Sequence, residues 1–262
     1  MTKVVRIVAI ITALAVAAFV GVQLGTYFFE RVESNAVNDE LAAIANSPFA
    51  AEDDIYPLEE LEVRNKLATY AQRLFGKAAP SRAPISGDQT KSSLEKAQKR
   101  RINFPALKKR NNQIVAWISI PNMPVDYAVV KGNDNSYYLT RDALRNKNTS
   151  GAIFLDSKLN PNFDNSDSIV YGHDMYDSSM FGSLVKYRTK SFQNKHQYIF
   201  VYTPNATKKY QVSSQFKTTS GKLTPDNSKT KTLTLVTCVN SDGKSHYVVR
   251  AKLISSKRPG EK

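Results

Sequence analysis

Beyond about residue 112 the chain breaks into eight short β-rich runs, near 114–120, 126–130, 151–155, 168–171, 198–203, 209–216, 232–237 and 245–255. Valine, isoleucine, threonine and aromatic residues dominate them, and the pairs Pro121-Asn122, Gly132-Asn133 and Asp242-Gly243 punctuate them. Branched and aromatic side chains suit a pleated, half-buried surface, and the turn pairs send the chain back on itself. Many short strands must hide their edges. The expected fold class is therefore mainly β, an eight-stranded closed or nearly closed barrel over residues 113–258. A helical turn or two is expected around 179–187, and no internal repeat is present.

The part ahead of the strands is of another kind. Lys3 and Arg6 precede an apolar run from Ile7 to Phe29 in which only Thr12, Gln23 and Thr26 are polar. As a helix, at about 1.5 Å per residue, such a run matches the ~30 Å hydrocarbon core of a bilayer. The two basic residues would keep the short end inside. The expectation is a cytoplasmic tip (1–6), a transmembrane signal anchor (7–29) and a catalytic part outside the cell membrane. A cleaved signal peptide is the rival, since Ala13-Leu14-Ala15 and Ala15-Val16-Ala17 resemble processing sites. Cleavage there would waste the apolar residues that follow, which favours an uncleaved anchor.

Residues 30–112 read as a helical stalk and flexible linker. The stretch from Glu30 to Asn46 is expected to continue the anchor helix until Asn46-Ser47-Pro48-Phe49 breaks it. From Pro57, Leu58, Leu61, Leu67, Ala71, Leu74 and Phe75 recur at helical spacing, with Gly76 as a stop. The Pro-, Ser- and Gly-containing stretch from Gly76 to Gly87 reads as a connector.

The formal charge is +14, from 37 Lys and Arg against 23 Asp and Glu. Nucleic-acid binding is not expected, because no binding motif accompanies the charge and the N-terminus points out of the cytosol. An anionic membrane or wall polymer is the simpler partner for a basic face.

The chemistry centres on Cys238, the only cysteine, which ends the run Thr232-Leu-Thr-Leu-Val-Thr-Cys238. A lone thiol in an exported chain makes no internal disulfide and is exposed to oxidation. A nucleophilic thiol needs a base or a positive neighbour. Three histidines are available. His196, among Gln193, Asn194, Lys195 and Gln197, reads as a solvated loop residue. His246 is close to Cys238 in sequence and shares strand parity with Arg250. His173 ends the apolar strand Ser168-Ile-Val-Tyr-Gly-His173, where Gly172 lets the chain turn at a barrel rim. Residue chemistry alone leaves His173 and His246 both open. Arg250 reads either as an exposed strand residue in an ion pair or as a donor to a developing oxyanion. One cysteine and three dispersed histidines form no zinc spacing, and Asp164, Asp167 and Asp174 read as polar loop residues. Neither a metal nor a cofactor is expected.

These residues resemble the sortases, and most closely those of class B. The resemblance rests on Thr234-Leu-Val-Thr-Cys238, Tyr171-Gly-His-Asp-Met175, Met180-Phe-Gly-Ser-Leu184 and Tyr247-Val-Val-Arg-Ala-Lys-Leu-Ile254. Upstream, Ala116-Trp-Ile-Ser-Ile-Pro-Asn122, Asp126-Tyr-Ala-Val-Val130, Asp134-Asn-Ser-Tyr-Tyr-Leu139 and Gly151-Ala-Ile-Phe-Leu-Asp156 follow the family pattern in order. It covers about residues 104 to 256. The resemblance implies a sortase barrel and a cysteine transpeptidase. Such an enzyme cleaves a C-terminal sorting signal of a secreted protein after threonine, holds the acyl group as a thioester and passes it to an amine. The acceptor would be a lipid-linked peptidoglycan precursor or a pilin lysine. By matching motifs, Cys238 is the nucleophile, His173 the general acid and base, and Arg250 the stabiliser of substrate and oxyanion. Asn135, Leu139, Val236 and Thr237 are the implied substrate-binding residues.

Departures from class B concentrate before the cysteine. The segment from Tyr210 to Leu233 is short and rich in Lys, Thr and Ser, where the class carries a long helix between its sixth and seventh strands. Val236 stands where a small hydroxyl residue is common, and Val239 stands where an acidic residue occurs. An atypical signal or a pilin-joining role is one alternative. A thiol hydrolase or protease with water as acceptor is another, and a catalytically silent surface-binding module is the third.

Overall fold

The computed structural model describes residues 3–49, 87–219, 223, 229–238, 245–259 and 261, with Cys238 described by its backbone. The helix expected after Pro57 and most of the connector after it lie outside these residues. Eight strands form: β1 (Ile114–Ser119), β2 (Asp126–Val130), β3 (Ile153–Leu155), β4 (Asp167–Tyr171), β5 (Tyr198–Tyr202), β6 (Thr207–Thr218), β7 (Thr232–Cys238) and β8 (His246–Lys257). They close into a barrel in the order β1-β2-β3-β4-β7-β8-β6-β5. The β2–β3 and β4–β7 pairs are parallel, and the others are antiparallel.

Strands β6 and β8 extend beyond the expected runs. They pair with each other from Thr207 opposite Lys257 to Thr218 opposite His246. Backbone hydrogen bonding carries this ribbon through polar residues where hydrophobic alternation has faded, so the sequence pattern alone understates it. The helical turn expected at 179–187 is a 3-10 segment, Gly182–Arg188.

Alternation along the strands builds two cores. Inward residues such as Ile118, Tyr127, Val129, Val170, Leu235 and Val249 fill the barrel. Outward residues of β1, β2, β3 and β5, including Trp117, Ala128, Phe154 and Phe200, pack against a helical layer. That layer comprises α1 (Lys3–Ala45), α2 (Lys91–Lys99) and α3 (Phe104–Arg110), which bury Leu41, Ile44, Ala97, Phe104 and Leu107. Each leucine, isoleucine or phenylalanine buried there contributes roughly 1.5–3 kcal/mol.

The short helices form where capping chemistry starts them. Thr90 and Ser93 make a reciprocal capping box on α2, and the Asn103 side chain accepts from the Ala106 N–H at 3.1 Å to begin α3. Between them, Arg100 donates to both oxygens of Asp126 at 2.5 and 3.1 Å and lies 5.6 and 5.7 Å from the Trp117 and Tyr202 rings. Residues 87–112 are thus part of the folded body.

Helix α1 runs unbroken from Lys3 to Ala45. Its C-terminal part is docked on the barrel, whereas Ile11, Leu14, Val16, Phe19, Val20 and Val22 are exposed. Among the described residues no helix is long and apolar enough to cross a membrane.

His196 departs from expectation. It is not solvated but buried, with 2% of its surface exposed. It follows α4 (Lys190–Lys195), stacks on Phe192 at 4.1 Å, and its Nε2 lies 3.0 Å from the Gly87 carbonyl oxygen. The polar neighbours belong to the outer side of a helical turn, and i to i+4 spacing carries the histidine inward beside Phe192.

Candidate active site

The half of the barrel formed by β4, β7, β8 and β6 carries the residues singled out in the sequence. Leu233 and Leu235 of β7 and Tyr247, Val249 and Ala251 of β8 point into the barrel. Alternation therefore assigns Thr234 and Val236, with His246, Val248 and Arg250, to the outer face. Register brings these together: Thr234 is opposite Arg250, Val236 opposite Val248, and Cys238 opposite His246. On the other side of β7, Tyr171 of β4 is the parallel partner of Val236, and the Gly172 N–H donates to the Val236 carbonyl at 3.1 Å. His173 lies two residues beyond Tyr171, as Cys238 lies two beyond Val236. The two parallel strands deliver both residues to the same end of the barrel.

His173 is held tightly. Its Nε2 is 2.8 Å from the Leu139 carbonyl oxygen. Because a carbonyl only accepts, Nε2 carries the proton and Nδ1 is left as the basic nitrogen of the neutral ring. The Phe181 N–H donates to the His173 carbonyl at 2.9 Å, closing residues 174–181 into a compact loop. On the other side stands Gly151, at φ +60, where a Cβ would come within 2.9 Å of the imidazole Cδ2 and 2.8 Å of the Leu139 and Tyr138 carbonyl oxygens. Gly172 is equally confined: a Cβ there would meet Ile153 at 2.4 Å and Phe181 at 2.8 Å. Beside the histidine, burial pushes the Asp174 carboxyl above its ordinary value.

Arg250 sits in the middle of the outer face, its guanidinium 5.2 Å from the centre of the Phe216 ring on β6. This contact stiffens a long side chain and keeps a permanent charge at the face. Thr234, its cross-strand neighbour, donates to Asp167 at 2.7 Å.

The implied substrate-binding residues divide. Leu139 is 40% exposed beside His173, and Val236 shares the outer face with Arg250. Thr237 has inward parity and is buried, its hydroxyl without a hydrogen-bond partner among the described residues. Asn135 is used as a brace. It donates to Asp156 at 2.8 Å and accepts from the Ser157 N–H at 2.7 Å, while the Tyr171 hydroxyl donates to the same carboxylate at 3.2 Å. Burial, with Asp156 nearby, raises the Tyr171 pKa, so this phenol stays a donor. Both histidines left open by residue chemistry approach Cys238, His246 by register and His173 by the parallel strand. Of these two, His173 has a ring nitrogen oriented by a backbone carbonyl, whereas His246 Nδ1 is buried without a partner among the described residues. Phe216 and the Asp156 brace were missed in the sequence, because no local signal pairs β6 with β8 or Asn135 with Asp156.

A family model described as the sortase domain matches residues 118–254. Sortase B of Staphylococcus aureus (strain NCTC 8325 / PS 47) is 32% identical over 148 residues, which is 52% of this chain and 61% of that protein. The chain thus spans less than two thirds of that relative's length. Among solved structures, sortase B of Bacillus anthracis is 25% identical with a TM-score of 0.55, covering 78% of this chain and 100% of that one. A sortase B solved in complex with triglycine is 26% identical with a TM-score of 0.55, covering 76% of this chain and 98% of that one. The match runs from the end of β1 into β8 and takes in every residue assembled around Cys238, and by it the chain belongs to the sortase family.

Proposed function

We propose that the protein is a membrane-anchored class B-type cysteine transpeptidase that joins secreted proteins to an amine of the cell wall. The observation that carries this reading is the parallel β4–β7 register, which brings the ends leading to His173 and Cys238 together beside Arg250 on β8. Cys238 gives its proton to Nδ1 of His173, and the thiolate attacks the carbonyl carbon of the signal's threonine. Arg250 and strand-end N–H groups stabilise the oxyanion, and the C–N bond breaks as His173 protonates the leaving amine. A thioester remains. It keeps the acyl group activated until an amine attacks, gives up a proton to His173 and expels the thiolate.

The run from Ile7 to Phe29, preceded by Lys3 and Arg6, supports an anchor with the barrel outside the membrane. The triglycine complex of a related sortase B supports a short glycyl amine, as on a lipid-linked wall precursor, as acceptor. Only residues 219–231 join β6 to β7, which favours a signal differing from that of relatives with a longer insertion. The test supplies sorting-signal peptides with and without triglycine. An amide product is expected. Cleavage that yields only the free acid under every amine would instead establish a hydrolase.

A further inference from the structure

We propose that residues 30–38 of α1 form a clasp that positions His173, an inference that rests on the acid–base role given to that residue. Two segments flank His173, one bonded to its backbone and one to its ring, and the same helix grips both. The first is the 174–181 loop, which leaves His173 and returns to its carbonyl through the Phe181 N–H. Ser178 and Met180 adopt positive φ values of 65° and 50° there, conformations that persist only when surrounding contacts hold them. Those contacts include an ion pair between Arg31 and Asp177, and Asn38 Nδ2 lies 4.0 Å from the Met180 sulfur. The Met180 N–H also donates to the Tyr127 hydroxyl at 2.7 Å, fixing the loop to the barrel wall.

The second is the segment from Leu139 to Gly151, which supplies the carbonyl bonded to Nε2. Asn148 donates from its side chain to the Glu30 carbonyl at 2.8 Å, and the Thr149 hydroxyl bonds the Glu30 carboxylate. Asn148 in turn accepts from the Gly151 N–H at 3.1 Å, next to the point where Gly151 abuts the imidazole. Displacing α1 at Glu30 and Arg31 would therefore move both segments, and with them the Leu139 carbonyl that selects the tautomer. Glu30 directly follows Phe29, the last residue of the apolar run, so the clasp also couples the site to that run. Arg31 and Asp177 are positioning residues, acting through the loop and not on substrate.

The test uses the full chain in detergent micelles. Ring cross-peaks of the three histidines are recorded and assigned by single substitutions. In Arg31→Ala and in Asp177→Ala the His173 cross-peak is expected to move while that of His196 stays. The double exchange Arg31→Asp with Asp177→Arg is expected to return it. In the acyl-transfer assay, kcat is expected to fall about tenfold in the single variants with KM within twofold, and to recover in the double exchange. A His173 cross-peak unmoved in both single variants overturns the clasp. So does a fall in kcat that merely follows a lower melting temperature and is not repaired by the exchange. A wild-type chain without acyl transfer overturns the enzymatic reading instead, and the cross-peaks alone then decide the clasp.

Discussion

Nε2 of His173 donates to the carbonyl oxygen of Leu139 across 2.8 Å, and this single bond fixes which imidazole nitrogen is left to exchange protons. Glutamine at 173 could keep a donor to that carbonyl but could not shuttle a proton. His173→Gln is therefore expected to keep the wild-type melting temperature within a few degrees and to lose about 10²–10⁴-fold in kcat, the range general acid–base groups supply. His246→Ala is expected to retain most activity. Steady-state kinetics on both variants checks this, and loss of activity in His246→Ala alone would transfer the role.

Gly151 occupies a left-handed backbone position against two carbonyl oxygens and the His173 ring. An added methyl group meets backbone on one side and the imidazole on the other, so it cannot be absorbed by a flexible side chain. Gly151→Ala is expected to cost about 1–3 kcal/mol in stability, read by thermal melting, together with at least a tenfold loss of kcat.

The Phe216 ring steadies the Arg250 guanidinium, which lies 5.2 Å from its centre. Phe216→Ala should leave the charge present but unconfined, lowering kcat/KM about three- to thirtyfold by kinetics with a signal peptide, consistent with about 0.5–2 kcal/mol of cation–π contact. Arg250→Lys is expected to lose more, because a single ammonium cannot present two fixed donors to an oxyanion.

Asp164 accepts from Lys208 at 2.8 Å and Lys231 at 3.3 Å. The hydrogen bond from Lys208 holds its carboxyl below the usual carboxylate range, outweighing the opposing effect of burial. A depressed folded-state pKa stabilises the fold above the unfolded value of about 3.9, and that stability fades as pH falls through the folded value. The difference in melting temperature between wild type and Asp164→Asn is therefore expected to be largest near pH 7 and to close as pH falls through the carboxyl's depressed folded-state value. Its size is limited to about 1 kcal/mol by the exposure of the carboxylate.

Much of the barrel was legible because β-strand alternation writes itself into sequence. Leu233 and Leu235 face inward and Thr234 and Val236 face outward, as period two requires. The candidate site was legible as residue types near strand ends. Its pairings were not, since the Cys238–His246 and Tyr171–Val236 registers are properties of neighbouring strands and not of one segment. His196 misled because polar neighbours in a helical turn hide a buried face. Asn135 carries side-chain chemistry equally suited to a peptide or to Asp156, and only the fold selects the latter.

Cys238 is expected to carry the acyl group between donor and amine. Intact-protein mass measurement after mixing with a sorting-signal peptide tests it most directly. A mass increase equal to the acyl fragment is expected, mapped to Cys238, discharged as an amide on adding triglycine and absent in Cys238→Ala. Peptide cleavage with no adduct, an adduct at another residue, or undiminished amide formation by Cys238→Ala would contradict it.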